Sequence, residues 1–100
     1  MQIPAHLMQD RYWKGTLHLF MKHDKLQRYF TNQYFDFEEG TIDAAALKKV
    51  SKPWSQSERF ILELALHLFN ESYKFNLSDA DYLDSANKTL AFEALRLRFG

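Results

Sequence analysis

The hydrophobic pattern is most distinctive over residues 59–70, where RFILELALHLFN is apolar at nearly every position. Its polar exceptions follow one another at steps of four, four and three: Arg59, Glu63, His67 and Asn70. This spacing places them in one narrow stripe, since residues three or four apart share a helix face. A helix with so little polar surface must be enclosed by other elements. The pattern therefore predicts a central apolar helix over about residues 56–72, which begins after a capping box from Ser55 to Glu58.

The N-terminal third has a helical pattern of its own. Over residues 4–22 apolar side chains recur at helix-like spacing, a proline suits the first turn, and Gly15 indicates an irregularity. A second apolar stripe follows a capping-box-like start at Asp24 and predicts a helix to about residue 34. The sequence leaves open whether residues 4–34 form one helix or two.

Shorter elements fill the rest of the chain. Residues 35–43, FDFEEGTID, alternate briefly and turn at Gly40, which fits either a short β-hairpin or a helix end capped by glycine. Asp43 suits the cap of a short helix. The polar, acidic segment 71–84 predicts a loop with about one helical turn, and a last helix then continues to Gly100.

Together these elements predict a mainly α fold. Four or five helices pack around the central helix at about 56–72, and one short β-hairpin near 35–43 remains the alternative to a helix end. The chain has 100 residues, which predicts one domain over residues 1–100, large enough to bury roughly two thirds of its unfolded surface.

Composition and charge narrow the classes of function. Thirteen basic residues balance thirteen acidic ones, so the chain lacks the strong positive field that non-specific nucleic-acid or membrane binding usually requires. It has no cysteine and therefore no disulfide or thiolate metal site. No secretory signal is recognisable at the start, and no apolar run reaches the ~20 residues that a membrane span needs. We expect a soluble, cytoplasmic protein that does not contact membranes.

Catalytic and metal-binding motifs are absent from the sequence. The four histidines do not show H-x-x-x-H or H-E-x-x-H spacing, which would place two ligands on one helix face. Glu63 and His67 stand one turn apart, as in an ordinary solvated helix pair. The aspartates between residues 79 and 84 lack the glycine and the closing glutamate of a calcium loop. We therefore predict no metal, no cofactor and no enzymatic activity.

The second half of the chain resembles a family of small, uncharacterised bacterial proteins, mainly from Gram-positive species. The resemblance covers about residues 54–100 and rests on Trp54, on the segment LALHLFN at 64–70 and on EALRLRFG at 93–100. It departs from the family at Glu71, where a glycine is expected after the asparagine. The resemblance implies a bacterial, cytoplasmic origin and assigns no activity, catalytic residue or cofactor.

Two functional hypotheses follow from the surplus of aromatic residues. The first is a non-catalytic accessory or protein-interaction module that self-associates, because there are more rings than a minimal core needs. The alternative is weak nucleic-acid binding through the basic and aromatic N-terminal segment. Trp54 is expected to pack on the first turn of the central helix, with a partner contact as the alternative. The candidate binding residues are Tyr12, Trp13, Lys14, Arg28 and Trp54.

Overall fold

A computed structural model describes residues 2–100 of the chain. Over these residues the fold is mainly helical and includes a two-stranded antiparallel hairpin, which confirms the predicted fold class and decides the alternative at residues 35–43. The elements are α1 (Ala5–Gln9), α2 (Lys14–Lys22), α3 (Asp24–Gln27), β1 (Phe35–Asp36), β2 (Thr41–Ile42), α4 (Ala44–Val50), α5 (Gln56–Phe69), a 3-10 helix (Leu77–Tyr82) and α6 (Ser85–Phe99).

The N-terminal third is divided into three short helices, so the prediction of one or two long ones was wrong. The first break lies at residues 10–13, where Asp10 is extended and its carboxylate accepts a hydrogen bond from the backbone N–H of Tyr12. Such a local bond offers the backbone an alternative to helix. Gly15, where an irregularity was expected, lies inside α2.

The second break lies at His23, and it replaces the predicted capping box at Asp24. His23 has an extended backbone, and its Nδ1 accepts from the backbone N–H groups of Lys25 and Leu26, so the imidazole is the N-cap of α3. Helix α3 ends at Gln27, and the chain continues through turns to the hairpin. The apolar residues of this segment still face the core, which explains why their spacing imitated a longer helix.

The hairpin closes one side of the core. Phe35 pairs with Ile42, and both side chains are buried. The turn is shaped by Asp36, whose carboxylate accepts from two backbone N–H groups, and by Gly40, whose φ of 69° lies in the left-handed region that glycine tolerates. Edge-to-face ring contacts join Phe35 to Phe20 and Phe30. Many of the aromatic residues are therefore core residues.

Helices α2, α5 and α6 form the centre of the fold, each in contact with the other two. Helix α5 ends at Phe69, three residues before the predicted end. Leu64, Ala65 and Leu68 are buried within it, as the apolar pattern predicts for an enclosed helix. Helix α2 is equally enclosed: Thr16, Leu17, Leu19 and Phe20 are buried. The core thus has two central helices, whereas the hydrophobic pattern predicted one.

Two contacts fix α2 against its neighbours. The hydroxyl of Thr16 donates to the backbone carbonyl of Ala65 in α5 at 2.7 Å, both within the core. Gly15 lies so close to α6 that a Cβ added there would be 2.8 Å from the carbonyl oxygen of Ala94 and 3.1 Å from a methyl group of Leu68. The glycine therefore permits a close helix–helix approach that a larger residue would prevent.

Side-chain caps set the starts of α4, α5 and α6, and those of α4 and α5 lie where the sequence predicted them. The capping box of α5 is complete, because Ser55 accepts from the backbone of Glu58 and Glu58 accepts from the backbone of Ser55. Asp43 caps α4, and Asp84 caps α6 through the backbone N–H of Asn87. These bonds satisfy N–H groups that a helix start leaves without a partner.

Candidate functional site

Helix α6 has large apolar side chains on its outer side. Its buried residues are Ala91 and Ala94, whereas Phe92 and Phe99 are about two thirds exposed, at 66% and 68%. These two phenylalanines are seven residues apart and so share one face, two turns from each other. The helix therefore turns its small residues to α2 and its rings to solvent.

An apolar groove lies between α6 and the 3-10 helix. Its volume is about 250 Å³. Phe92 stands on one wall and Leu77, which is 61% exposed, on the other. The residues that line this apolar groove are Phe60, Leu64, Leu77, Ala80, Asp81, Leu83, Lys88, Ala91, Phe92 and Leu95.

The outer wall of the apolar groove is tied to α5 by the loop that precedes it. His67 Nδ1 lies 2.9 Å from the carbonyl oxygen of Tyr73, and its ring is 4.9 Å from that of Phe75. Phe75 also packs edge to face on Phe60, with ring centroids 5.5 Å apart. His67 thus anchors this loop. Its side-chain hydrogen bond is with the backbone of Tyr73, whereas the sequence suggested a pair with Glu63 one turn away.

The chemistry of the apolar groove suits the binding of an apolar side chain. Most lining groups are hydrocarbon, and the two charged ones come from opposite walls, Asp81 from the 3-10 helix and Lys88 from α6. Sites with an apolar floor and a few polar groups at the edge bind by removing hydrocarbon from water, while the polar groups set orientation.

The two tryptophans among the candidate binding residues lie in the core. Trp13 is buried and packs edge to face on Phe69 and Phe37, with ring centroids 4.9 and 5.9 Å apart. Trp54 is also buried; its ring is 5.1 Å from that of Tyr29 and 5.5 Å from the ammonium of Lys25. These positions account for both rings by packing, and a direct binding role for either stays a prediction.

The other three candidates do not gather in one place. Tyr12 is exposed before α2, Lys14 is half-buried in its first turn, and Arg28 is exposed just after α3. The nine residues of α2 span about 13 Å between the first two and Arg28. The ring of Tyr12 instead contacts two arginines. The guanidinium carbon of Arg11 lies 4.8 Å from the ring centroid, and that of Arg98 in α6 lies 4.4 Å from it.

Sequence reasoning missed the juxtaposition of Arg98 with Tyr12. An arginine in the last turn of a helix is already accounted for by a favourable interaction with the helix C-terminus, so the sequence offered no reason to expect another partner for Arg98. No local spacing links residues 12 and 98, because the contact depends on how α6 packs against α2. The exposed Phe92 also gave no signal, since its position within SANKTLAFEALRLRF does not show which helix face is covered.

A polar cleft of about 370 Å³ lies where α3, α5 and α6 begin. Burial lowers the pKa of His23, although Glu58, Asp24 and Asp84 attract its protonated form. For Glu58, partial burial raises the pKa, but the hydrogen bonds from Ser55 and the attraction of Lys25 outweigh it and lower the value overall. Two lysines, Lys22 and Lys25, and three acids line this cleft: Asp24, Glu58 and Asp84.

No protein-family model, curated protein or solved structure matches this chain. Within residues 2–100, no helix has both the length and the apolar character that crossing a bilayer requires.

Proposed function

We propose that this chain is a non-catalytic protein-interaction module that associates with a second copy of itself through the apolar groove. The observation that carries the proposal is the exposure of Leu77 and Phe92 on facing walls of one apolar depression. The resemblance of residues 54–100 to small bacterial proteins supports a setting in the bacterial cytoplasm.

Removal of these side chains from water would provide the driving force. Full burial of a phenylalanine or leucine side chain contributes about 1.5 to 3 kcal/mol relative to an exposed one. Phe92 and Leu77 are both more than 60% exposed, so most of each side chain would leave water when the groove is covered. An ordinary interface buries about 800 Å² per partner, so this apolar surface is a fitting centre for one.

The charges at the edge favour a second copy as the occupant. Asp81 and Lys88 lie on opposite walls of the apolar groove. A two-fold axis that places Phe92 of each copy in the groove of the other would bring Lys88 of one copy towards Asp81 of its partner. In such an interface the same patch is used twice, and a chain with no net charge has no long-range repulsion between its copies.

The test is light scattering coupled to size exclusion over a concentration series at two salt concentrations. We expect a concentration-dependent dimer that Phe92→Asp abolishes. Met8→Asp, which changes an exposed apolar residue on α1, is the control and should leave the dimer intact. A monomer at every concentration would contradict the proposal.

Charge reversal tests the two-fold arrangement separately. Lys88→Asp should weaken the dimer, because each interface would then hold acids facing acids. Asp81→Lys combined with Lys88→Asp should restore it, since the opposite charges face each other again. If the double variant dimerises no better than Lys88→Asp alone, the occupant is not a second copy in this orientation.

A further inference from the structure

A second cluster, mostly exposed, lies at the C-terminal end of α6 and consists of Arg11, Tyr12, Arg98 and Phe99; we name it the arginine–tyrosine cluster. The guanidinium of Arg98 lies between two rings, 4.4 Å from the centroid of Tyr12 and 4.5 Å from that of Phe99. Arg11 also lies over the Tyr12 ring, at 4.8 Å, and its Nη2 donates to the phenol oxygen at 2.7 Å. Two cations are thus held around one phenol ring.

Neither arginine forms an ion pair in the described part of the chain, although Asp10 attracts Arg11 at longer range. Across residues 2–100, neither guanidinium has a carboxylate oxygen within 4 Å, and Arg98 donates no hydrogen bond. Asp10, the acid next to Arg11 in sequence, accepts a hydrogen bond from the backbone N–H of Tyr12. A guanidinium has five N–H donors, and stacking on a ring occupies its face and leaves those donors at its edge.

A cleft opens beside the arginine–tyrosine cluster. Its volume is about 280 Å³, and it lies between this cluster and the end of α5. Phe99 presents a ring that is 68% exposed at its edge. The α5 side contributes polar groups from His67, Asn70 and Glu71. The guanidinium of Arg98, an exposed ring and polar atoms therefore surround one space.

We propose that this cleft binds a nucleotide, with the phosphate on the guanidinium edge of Arg98 and the base stacked on Phe99. Arginine pairs with phosphate through two parallel N–H···O bonds, and the stacked guanidinium of Arg98 is already oriented for them. A base offers a flat face to an aromatic ring and polar edge atoms to Asn70 and Glu71. The nucleotide is either free or part of an unpaired strand, because a duplex keeps its base faces covered.

The experiment measures the fluorescence anisotropy of a labelled single-stranded oligonucleotide titrated with the full chain. Adenosine monophosphate, inorganic phosphate and a duplex of equal length serve as unlabelled competitors. We expect competition by the mononucleotide and by the unlabelled strand, and much weaker competition by phosphate and by duplex. Equal competition by inorganic phosphate would overturn the assignment of the base, and the absence of binding would overturn the proposal.

Variants separate this site from general surface charge. Arg98→Ala should weaken binding about tenfold or more, as expected for losing a charged hydrogen-bonding pair, and should reduce the salt dependence by about 0.7 in the log–log slope. Arg98→Lys should restore the slope and only part of the affinity, because lysine keeps the charge and loses the planar donor edge. Arg59→Ala, at an exposed position of α5 outside the cluster, is the control; an equal loss with it would contradict the proposal.

One further variant keeps this proposal independent of self-association. Phe92→Asp lies about 10 Å along α6 from Phe99 at 1.5 Å per residue. It should leave nucleotide affinity unchanged even where it abolishes the dimer. Loss of nucleotide binding in this variant would show that the cleft does not act as a site in the single chain.

Discussion

Helices α5 and α6 are nearly equal in length and differ in what they bury. They have 14 and 15 residues, and a side-chain oxygen caps each at its start, from Ser55 and Asp84. Seven residues of α5 are buried, most of them large, whereas the buried residues of α6 are two alanines. The two phenylalanines of α6, Phe92 and Phe99, lie at the surface. Similar apolar material therefore stabilises the fold in one helix and remains at the surface in the other.

The difference has a geometric cause. Small residues on the inner side of α6 allow its backbone to approach α2 at Gly15, and a close approach leaves no room for rings between the helices. The phenylalanines of α6 consequently face solvent, where they contribute little to the stability of the single chain. Exposed rings grouped beside a groove are typical of surfaces that bind a partner.

The strongest test compares a buried residue of α5 with an exposed residue of α6. Leu64→Ala in α5 should lower the free energy of unfolding by about 2 to 5 kcal/mol, because it removes buried hydrocarbon and leaves a cavity. Phe92→Ala in α6 should change it by less than about 0.5 kcal/mol, as for an exposed site. Urea denaturation at low protein concentration, where the monomer dominates, measures both. A large loss with Phe92→Ala would mean that the outer ring belongs to the core.

A second test addresses the close approach that produces the contrast. Gly15→Ala should destabilise the chain by about 1 to 3 kcal/mol, because the new Cβ meets a backbone carbonyl that cannot move alone. At an ordinary helix position alanine is more stable than glycine. Ala45→Gly, at an exposed position of α4, should also destabilise, by about 1 kcal/mol through helix propensity.

Thermal and urea unfolding of these two variants check the prediction together. If Gly15→Ala proved more stable than the parent chain, α6 would be free to move away from α2. The small inner residues of α6 would then not explain the placement of its rings.

Local rules allowed most of the fold to be predicted. The apolar run after Ser55 identified α5 and its burial, and caps such as Asp43 located helix starts correctly, since capping depends on residues three positions apart. The N-terminal third was mispredicted for a related reason. The side-chain bonds of Asp10 and His23 break the helix, and the apolar spacing alone did not show that they would.

The candidate sites depended on contacts that sequence patterns do not encode. Tyr12 was selected for the basic residues near it in sequence, but its ring contacts Arg98, which is 86 residues away by sequence number. The sequence also did not show which face of α6 is covered by the rest of the fold. Its apolar residues are distributed around the whole helix, so only the packing of α2 decides that Ala94 faces inward and Phe92 outward.

The smallest expected effect concerns the start of α5, where α3 and α6 also begin, and it appears as a dependence of stability on pH. The folded chain lowers the pKa of His23 below its ordinary 6.5, mainly by burial, against the attraction of Glu58, Asp24 and Asp84. Between the folded and the ordinary value, the unfolded chain therefore binds more protons. Stability should fall as the pH drops below about 6.5.

Glu58 extends this loss to lower pH. Its folded pKa lies below the ordinary 4.5 because the Ser55 hydrogen bonds and Lys25 outweigh partial burial. Its contribution is therefore present above 4.5 and is lost as the pH falls through the folded value.

Two substitutions test which residue causes the loss of stability in each pH range. The urea midpoint is measured from about pH 7 to about pH 3. His23→Asn retains an acceptor suited to the N-cap and removes a titrating group, so the loss that begins below about pH 6.5 should disappear. Glu58→Gln should remove the loss below about pH 4.5 and leave the upper window unchanged. If His23→Asn still lost stability just below pH 6.5, the acid sensitivity would belong to another part of the chain. The burial of His23 where α3, α5 and α6 begin would then not be its cause.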